Sequence, residues 1–77
     1  MDMSEFVIAF AELFEDVDTS EITAETKFKD FAAWNSLMVL SVLAMIKINY
    51  GVLLSALDVN QCTTIADVYK LIEKAHG

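Results

Sequence analysis

Few side chains in this 77-residue chain could do covalent chemistry, and their spacing excludes most of the familiar arrangements. An enzyme site needs a nucleophile beside a base, a metal cluster, or paired carboxylates in a cleft. With one cysteine, Cys62, and one histidine, His76, no His/Cys metal set can be assembled. His76 stands next to the last residue and reads as a frayed, solvated side chain. Gly51 and Gly77 cannot by themselves build a phosphate-binding loop. Among the hydroxyls, that of Ser36 stands out by its position. It lies in Trp34-Asn35-Ser36-Leu37-Met38-Val39-Leu40, where a polar approach ends and the most apolar run of the chain begins. Asn and Ser are favoured helix N-caps, and no Gly or Pro interrupts Leu37 to Tyr50, so a helix starts within a residue of Ser36. That puts a hydroxyl at the positive end of a helix dipole, where an attached phosphate would meet free backbone N–H groups. Simple capping by Asn35 or Ser36 is the competing use of the same residues.

The elements that must position Ser36 follow from periodicity. A first helix is expected from Met3 to Glu15, with Asp2 and Glu5 at capping-box spacing. Its apolar stripe is Phe6, Phe10, Leu13, Phe14 and Val17, with Glu5, Glu12 and Glu15 opposite. From Asp16 to Asn35 the periodicity lapses, but Ile22, Phe28, Phe31 and Trp34 recur as anchors, which predicts a packed loop lying across the helices.

The second helix is expected over Ser36 to Tyr50, closed by Gly51 in the left-handed conformation. Val39, Val42, Leu43, Ile46 and Tyr50 form its inner stripe. Leu37, Leu40, Ser41, Ala44 and Ile48 lie opposite, with Met38 and Met45 on the flank, so this helix has no proper polar face and is either central to its bundle or docks onto a partner, the two Met serving as core filler or as an adaptable contact surface. Val52 to Leu54 reads as an extended connection. Ser55 with Asp58 opens a short helix from Ala56 to about Gln61, and Thr64 with Asp67 opens a last one that carries Ile65, Val68, Tyr69 and Ile72 and ends near Ala75. The fold class is all-α, a small bundle of three main helices and one short helix, forming a single domain over 1–77.

Composition narrows the partners. An apolar fraction of 56% and a mean hydropathy of +0.48 are high for so small a soluble chain, so some apolar surface must face outward. The net charge is −7, and there is no Arg, which argues against nucleic acid and against a phosphate clamp. Residues 1–30 carry nine acids against two lysines, while the rest carries three of each; the acidic half fits basic partners as well as a merely solvated face. A lone cysteine, an acidic Met1-Asp2-Met3-Ser4-Glu5 and no stretch long enough to span a bilayer lead to the expectation of a soluble, cytoplasmic monomer.

These features together resemble the acyl carrier proteins. Thr26-Lys27-Phe28-Lys29-Asp30-Phe31, then Trp34-Asn35-Ser36-Leu37, is similar to that family's approach to its modified serine. Gly51, Ser55-Ala56-Leu57 and Thr63-Thr64-Ile65-Ala66-Asp67-Val68 resemble its second half, so the likeness covers nearly the whole chain. The resemblance implies a non-enzymatic carrier that holds acyl intermediates as thioesters on a 4′-phosphopantetheine arm at Ser36, flanked by Asn35 and Leu37, for fatty-acid or polyketide-type synthesis. It also implies a phosphopantetheinyl transferase and acyl-transferring and synthase enzymes as partners, meeting Met38, Leu40, Ser41, Ala44, Met45 and Ile48. Val39, Val42, Leu43, Ile46, Leu54 and Leu57 would shelter the cargo.

Three departures stand out. Asn35 replaces the family's usual Asp, Ala32-Ala33-Trp34 lacks a Gly commonly found there, and the outer face of the second helix lacks the usual acids. They point to a specialised carrier. The alternatives are a carrier of aminoacyl or peptidyl groups, and an unmodified helical adaptor.

Overall fold

The computed structural model describes residues 2–14 and 18–76. The element order is α1 (Met3–Ala11), α2 (Ser36–Tyr50), α3 (Ala56–Asn60) and α4 (Ile65–His76), with no strand among the described residues. Two single 3-10 turns, Thr19–Glu21 and Phe28–Asp30, lie in the long connection between α1 and α2. α1 packs on α4 and α2, and α2 also packs on α3 and α4. The all-α bundle with one short helix is therefore the observed architecture.

The helix starts are set by short polar side chains. The Asp2 carboxylate accepts the Ser4 N–H at 2.9 Å, so Asp2 caps α1 by a simple N-cap contact, where spacing with Glu5 suggested a box. Ser55 and Asp58 do form the reciprocal box that opens α3. At α4, Asp67 Oδ2 accepts the Thr63 and Thr64 N–H groups, each at 3.0 Å, and Thr64 Oγ1 accepts the Asp67 N–H. α1 ends at Ala11, short of the expected Glu15. The N–H groups of Leu13 and Phe14 reach back only three residues, to Phe10 and Ala11, and this tighter winding closes the helix early. Glu15 and Val17, parts of that expectation, lie outside the described residues.

The core is aromatic along α1 and the loop and mostly aliphatic on α2, α3 and α4. Phe6, Phe10, Phe28, Val42, Ile46, Val59, Ile65, Val68 and Ile72 are fully buried. Phe6 meets Tyr50 and Tyr69 with ring centroids 5.7 and 5.6 Å away, joining α1 to α2 and α4. The loop anchors behave as their spacing predicts. Phe28 packs on Phe10 at 5.1 Å and on Trp34 at 4.8 Å, while Phe14 meets Phe31 at 5.0 Å. Pairs at these separations contribute roughly 0.5–1.5 kcal/mol each beyond area burial. Trp34 is thereby held one residue before the cap of α2.

Two polar ties finish the loop. Its Ala24 and Thr26 carbonyls accept the Ala66 and Ile65 N–H groups at 2.8 and 3.3 Å, filling the open donors at the start of α4. Lys29 Nζ donates to the Asn60 carbonyl at 2.8 Å, which fastens the Phe28–Asp30 turn to the end of α3.

Candidate functional site

Of Asn35 and Ser36, it is Asn35 that caps the helix. Asn35 is the N-cap of α2, with extended backbone (φ −157°, ψ −177°), and its Oδ1 accepts the Met38 N–H at 3.0 Å. Its own carbonyl accepts the first helical bond, from Val39, at 3.1 Å. Ser36 is the first helical residue and is exposed, so its hydroxyl is not spent on capping. The contrast with α4 is instructive. There the loop occupies the first N–H groups, whereas at α2 no protein group among the described residues takes the N–H of Ser36 or Leu37. The positive end of a 15-residue helix therefore lies open beside a free hydroxyl.

A cleft of about 210 Å³ adjoins Ser36, lined by Val39 and Leu40 of α2 and by Ala56 and Asn60 of α3. No ionisable side chain lines it. Ala56 and Asn60 were missed by sequence reasoning, which instead placed Leu54 and Leu57 on the sheltered side. Leu54 is half-buried against the core, but Leu57 is 66% exposed. The reason is rotational: Val59 is fully buried, and a residue two positions away on a helix points to the other side. Ala56 and Asn60, four apart, share the face towards α2. The β-branched Val59, the better candidate for the inner position in so short a helix, was the available signal.

The other expected residues fall mostly where periodicity put them. Val39, Val42 and Ile46 are buried and Leu43 and Tyr50 half-buried. Leu37, Leu40, Ala44 and Ile48 are exposed, Ile48 at 81%. Met38 and Ser41 are half-buried, and Ser41 Oγ donates to the Leu37 carbonyl at 3.2 Å. Met45 departs from the expected partner face: it is only 9% exposed and belongs to the core, because α1 packs against that flank of α2. α2 carries one charge, Lys47, placed in its last turn as the dipole favours.

Among the described residues there is no group of three or more His, Cys, Asp or Glu that could hold a metal. Cys62 is buried, and its Sγ donates to the Asp58 carbonyl at 3.3 Å. Burial, assisted by Asp67, pushes its thiol above the ordinary value, so it is a poor nucleophile. None of the described helices is long and apolar enough to cross a membrane.

The profile of the family described as "Phosphopantetheine attachment site" matches residues 5–72, which span α1, the loop, α2, α3 and most of α4. The chain belongs to that family, in agreement with its resemblance to acyl carrier proteins. It is a phosphopantetheine-carrying carrier protein, and the group its family bears is covalently attached 4′-phosphopantetheine. Carrier domains of this kind are generally non-catalytic and work with transferases and synthases. No curated protein matches the chain significantly.

The residues around Ser36 fit such a group. A phosphodiester at the first position of α2 would face the unclaimed Ser36 and Leu37 N–H groups, with no carboxylate in the adjoining cleft to repel it.

Proposed function

We propose that Ser36 is the residue that bears the phosphopantetheine, and that the cargo is an acyl group passed between enzymes of fatty-acid or polyketide-type synthesis. The observation that carries this reading is the exposed Ser36 hydroxyl at the first turn of α2, with capping delegated to Asn35. Priming would join Ser36 Oγ to the phosphorus of the phosphopantetheine half of coenzyme A. The pyrophosphate bond breaks, adenosine 3′,5′-bisphosphate leaves, and the hydroxyl proton passes to a base of the separate transferase. When bound, the group supplies a thiol at the end of a flexible arm, on which acyl groups travel as thioesters at a raised effective concentration.

The chain's own residues hold the anchor. The helix terminus offers N–H donors to the phosphodiester, and Val39, Leu40 and Ala56 offer an apolar wall beside it. That wall favours an acyl cargo over an aminoacyl one, whose ammonium would find no carboxylate there. Exposed Leu37, Leu40, Ala44 and Ile48 present a largely apolar face to incoming enzymes, with Lys47 as its one charge, so partner recognition at α2 rests on apolar contact with little electrostatic steering. The protein itself performs no catalysis in this scheme. The lone buried cysteine is compatible with a reducing, cytoplasmic setting.

The test is incubation with coenzyme A, Mg²⁺ and a broad-specificity transferase, read by intact mass. One phosphopantetheine is expected on the wild type and none on Ser36→Ala. An unmodified wild type, under conditions that prime a control carrier, refutes the assignment. Thioesters recovered from cells then distinguish acyl from aminoacyl cargo.

A further inference from the structure

We propose that the groove between α1 and α2 is a second docking surface, and that its occupant is a basic amphipathic helix of a partner protein. The groove has a volume of about 460 Å³. Its apolar lining is Ile8, Ala9 and Leu13 from the α1 side, with the nearly buried Met45 of α2 contributing only its edge at the base. Ile8 is 56% exposed, a large aliphatic side chain that the fold leaves uncovered. Glu5 and Glu12 rim the α1 side and Asn49 the α2 side.

The acids give the groove its selectivity. Glu5 and Glu12 are seven residues apart, two helical turns or about 10.5 Å along one edge. No lysine is among the residues that line the groove. A helix laid alongside, with an aliphatic stripe between two Lys or Arg residues spaced by seven, would match both the floor and the rim. A second copy of this chain matches poorly. Its exposed lysines on α4, Lys70 and Lys74, are four apart with Glu73 between them.

This surface is separate from the serine. The groove uses Met45 and Asn49, which lie on the α1 flank of α2, while the cleft at Ser36 uses Val39 and Leu40 on the α3 flank. The inference does not require Ser36 to be the attachment residue, and both surfaces can be occupied together.

The experiment titrates the full chain with a synthetic helical peptide of about 18 residues, carrying a Leu stripe flanked by Arg at seven-residue spacing. A control peptide keeps the stripe and replaces Arg with Glu. Amide shifts are expected at Glu5–Leu13 and Met45–Asn49, unchanged in Ser36→Ala. The double variant Glu5→Lys/Glu12→Lys is expected to weaken binding about tenfold at low salt, with most of that difference lost near 0.5 M salt. Glu5→Gln/Glu12→Gln removes the charge while sparing α1 a cation in its first turn, and should weaken binding severalfold; Ile8→Ser should do the same by thinning the floor. Circular dichroism confirms that each variant is folded. The proposal is overturned by absent saturable binding, by equal binding of the control peptide, by affinity indifferent to the charge variants, or by shifts centred on Leu40 and Ala56. Self-association of the free chain that covers the groove also overturns it, since the occupant would then be a second copy.

Discussion

The N-cap of α2 can be tested by replacing Asn35 in two directions. Its Oδ1 satisfies the Met38 N–H at 3.0 Å, and among the described residues no other group does so. Asn35→Ala leaves that donor to water and should cost about 1 kcal/mol, within a range of roughly 0.5–2. Asn35→Asp keeps an acceptor of the same reach and adds a negative charge at the positive end of the helix, worth about 0.3–1 kcal/mol when exposed. The Asp and Ala variants should therefore differ by about 1–2 kcal/mol, and for a domain this size 1 kcal/mol moves Tm by roughly 4–8 °C. Urea unfolding followed by far-ultraviolet circular dichroism reads the difference, with an unchanged slope showing that the unfolded state is unaltered. The sign of the pH dependence is fixed. A carboxylate at this position has its folded pKa depressed, so its benefit is complete above the ordinary value of about 3.9 and disappears as pH falls through the folded value. Added salt should shrink the gain of the Asp variant and leave the Ala loss intact. An Ala variant within about 0.3 kcal/mol of wild type would refute the cap. An Asp variant less stable than wild type at neutral pH would show that repulsion from a chain of net charge −7 outweighs the dipole.

Removing the loop's main anchor should be severe: Phe28 is fully buried between Phe10 and Trp34, and Phe28→Ala is expected to cost about 3–5 kcal/mol. That is much of the stability of a small domain, so thermal melting with Trp34 fluorescence should show a largely lost transition, and a loss under about 2 kcal/mol would contradict the packing. Asp67 is held below the ordinary carboxylate value of 3.8, chiefly by the Thr64 N–H and then by the Thr63 N–H. Its stabilisation is present above that ordinary value and is lost as pH falls through the depressed folded one. Asp67→Asn should flatten the acid limb of the stability curve, as read by urea midpoints from neutral pH down to about pH 2.5, and an unchanged limb would count against the box at α4.

Most of the scaffold was legible because its signals are local. The α2 boundaries, the Ser55–Asp58 and Thr64–Asp67 boxes, and Gly51, whose φ of +66° favours a residue without a side chain, all follow from short-range chemistry. The loop anchors were legible for the related reason that large aromatics in a polar stretch have only the core to go to. What failed was tertiary. The early end of α1 depends on how its last turn tightens, which periodicity does not encode. The burial of Met45 depends on which flank α1 covers, and the outward turn of Leu57 on how five residues of α3 are rotated by Val59. At the candidate site, the exposed position of Ser36 at the start of α2 was legible from sequence, but the wall opposite it, Ala56 and Asn60, required knowing that rotation.

The distribution of charge bears on how this carrier meets its enzymes. The acids of α1 and the loop, including Glu5, Glu12, Asp18, Glu21, Glu25 and Asp30, are exposed, while α2 contributes only Lys47. At physiological salt a basic surface senses a charge over about 8 Å, so α2 offers an approaching enzyme little attraction at a distance and its leucines act only on contact. If α2 is the docking face, as proposed, long-range attraction would originate at the α1 and loop side, and a partner drawn there would arrive beside α2 before any apolar contact forms with Leu37 or Leu40. On the proposed reading, steering and final docking fall to different surfaces. Raising the ionic strength should accordingly slow association with basic partners while leaving the lifetime of an apolar contact at α2 nearly unchanged. A dissociation rate that climbed with salt as steeply as the association rate fell would show instead that charge and contact share one interface.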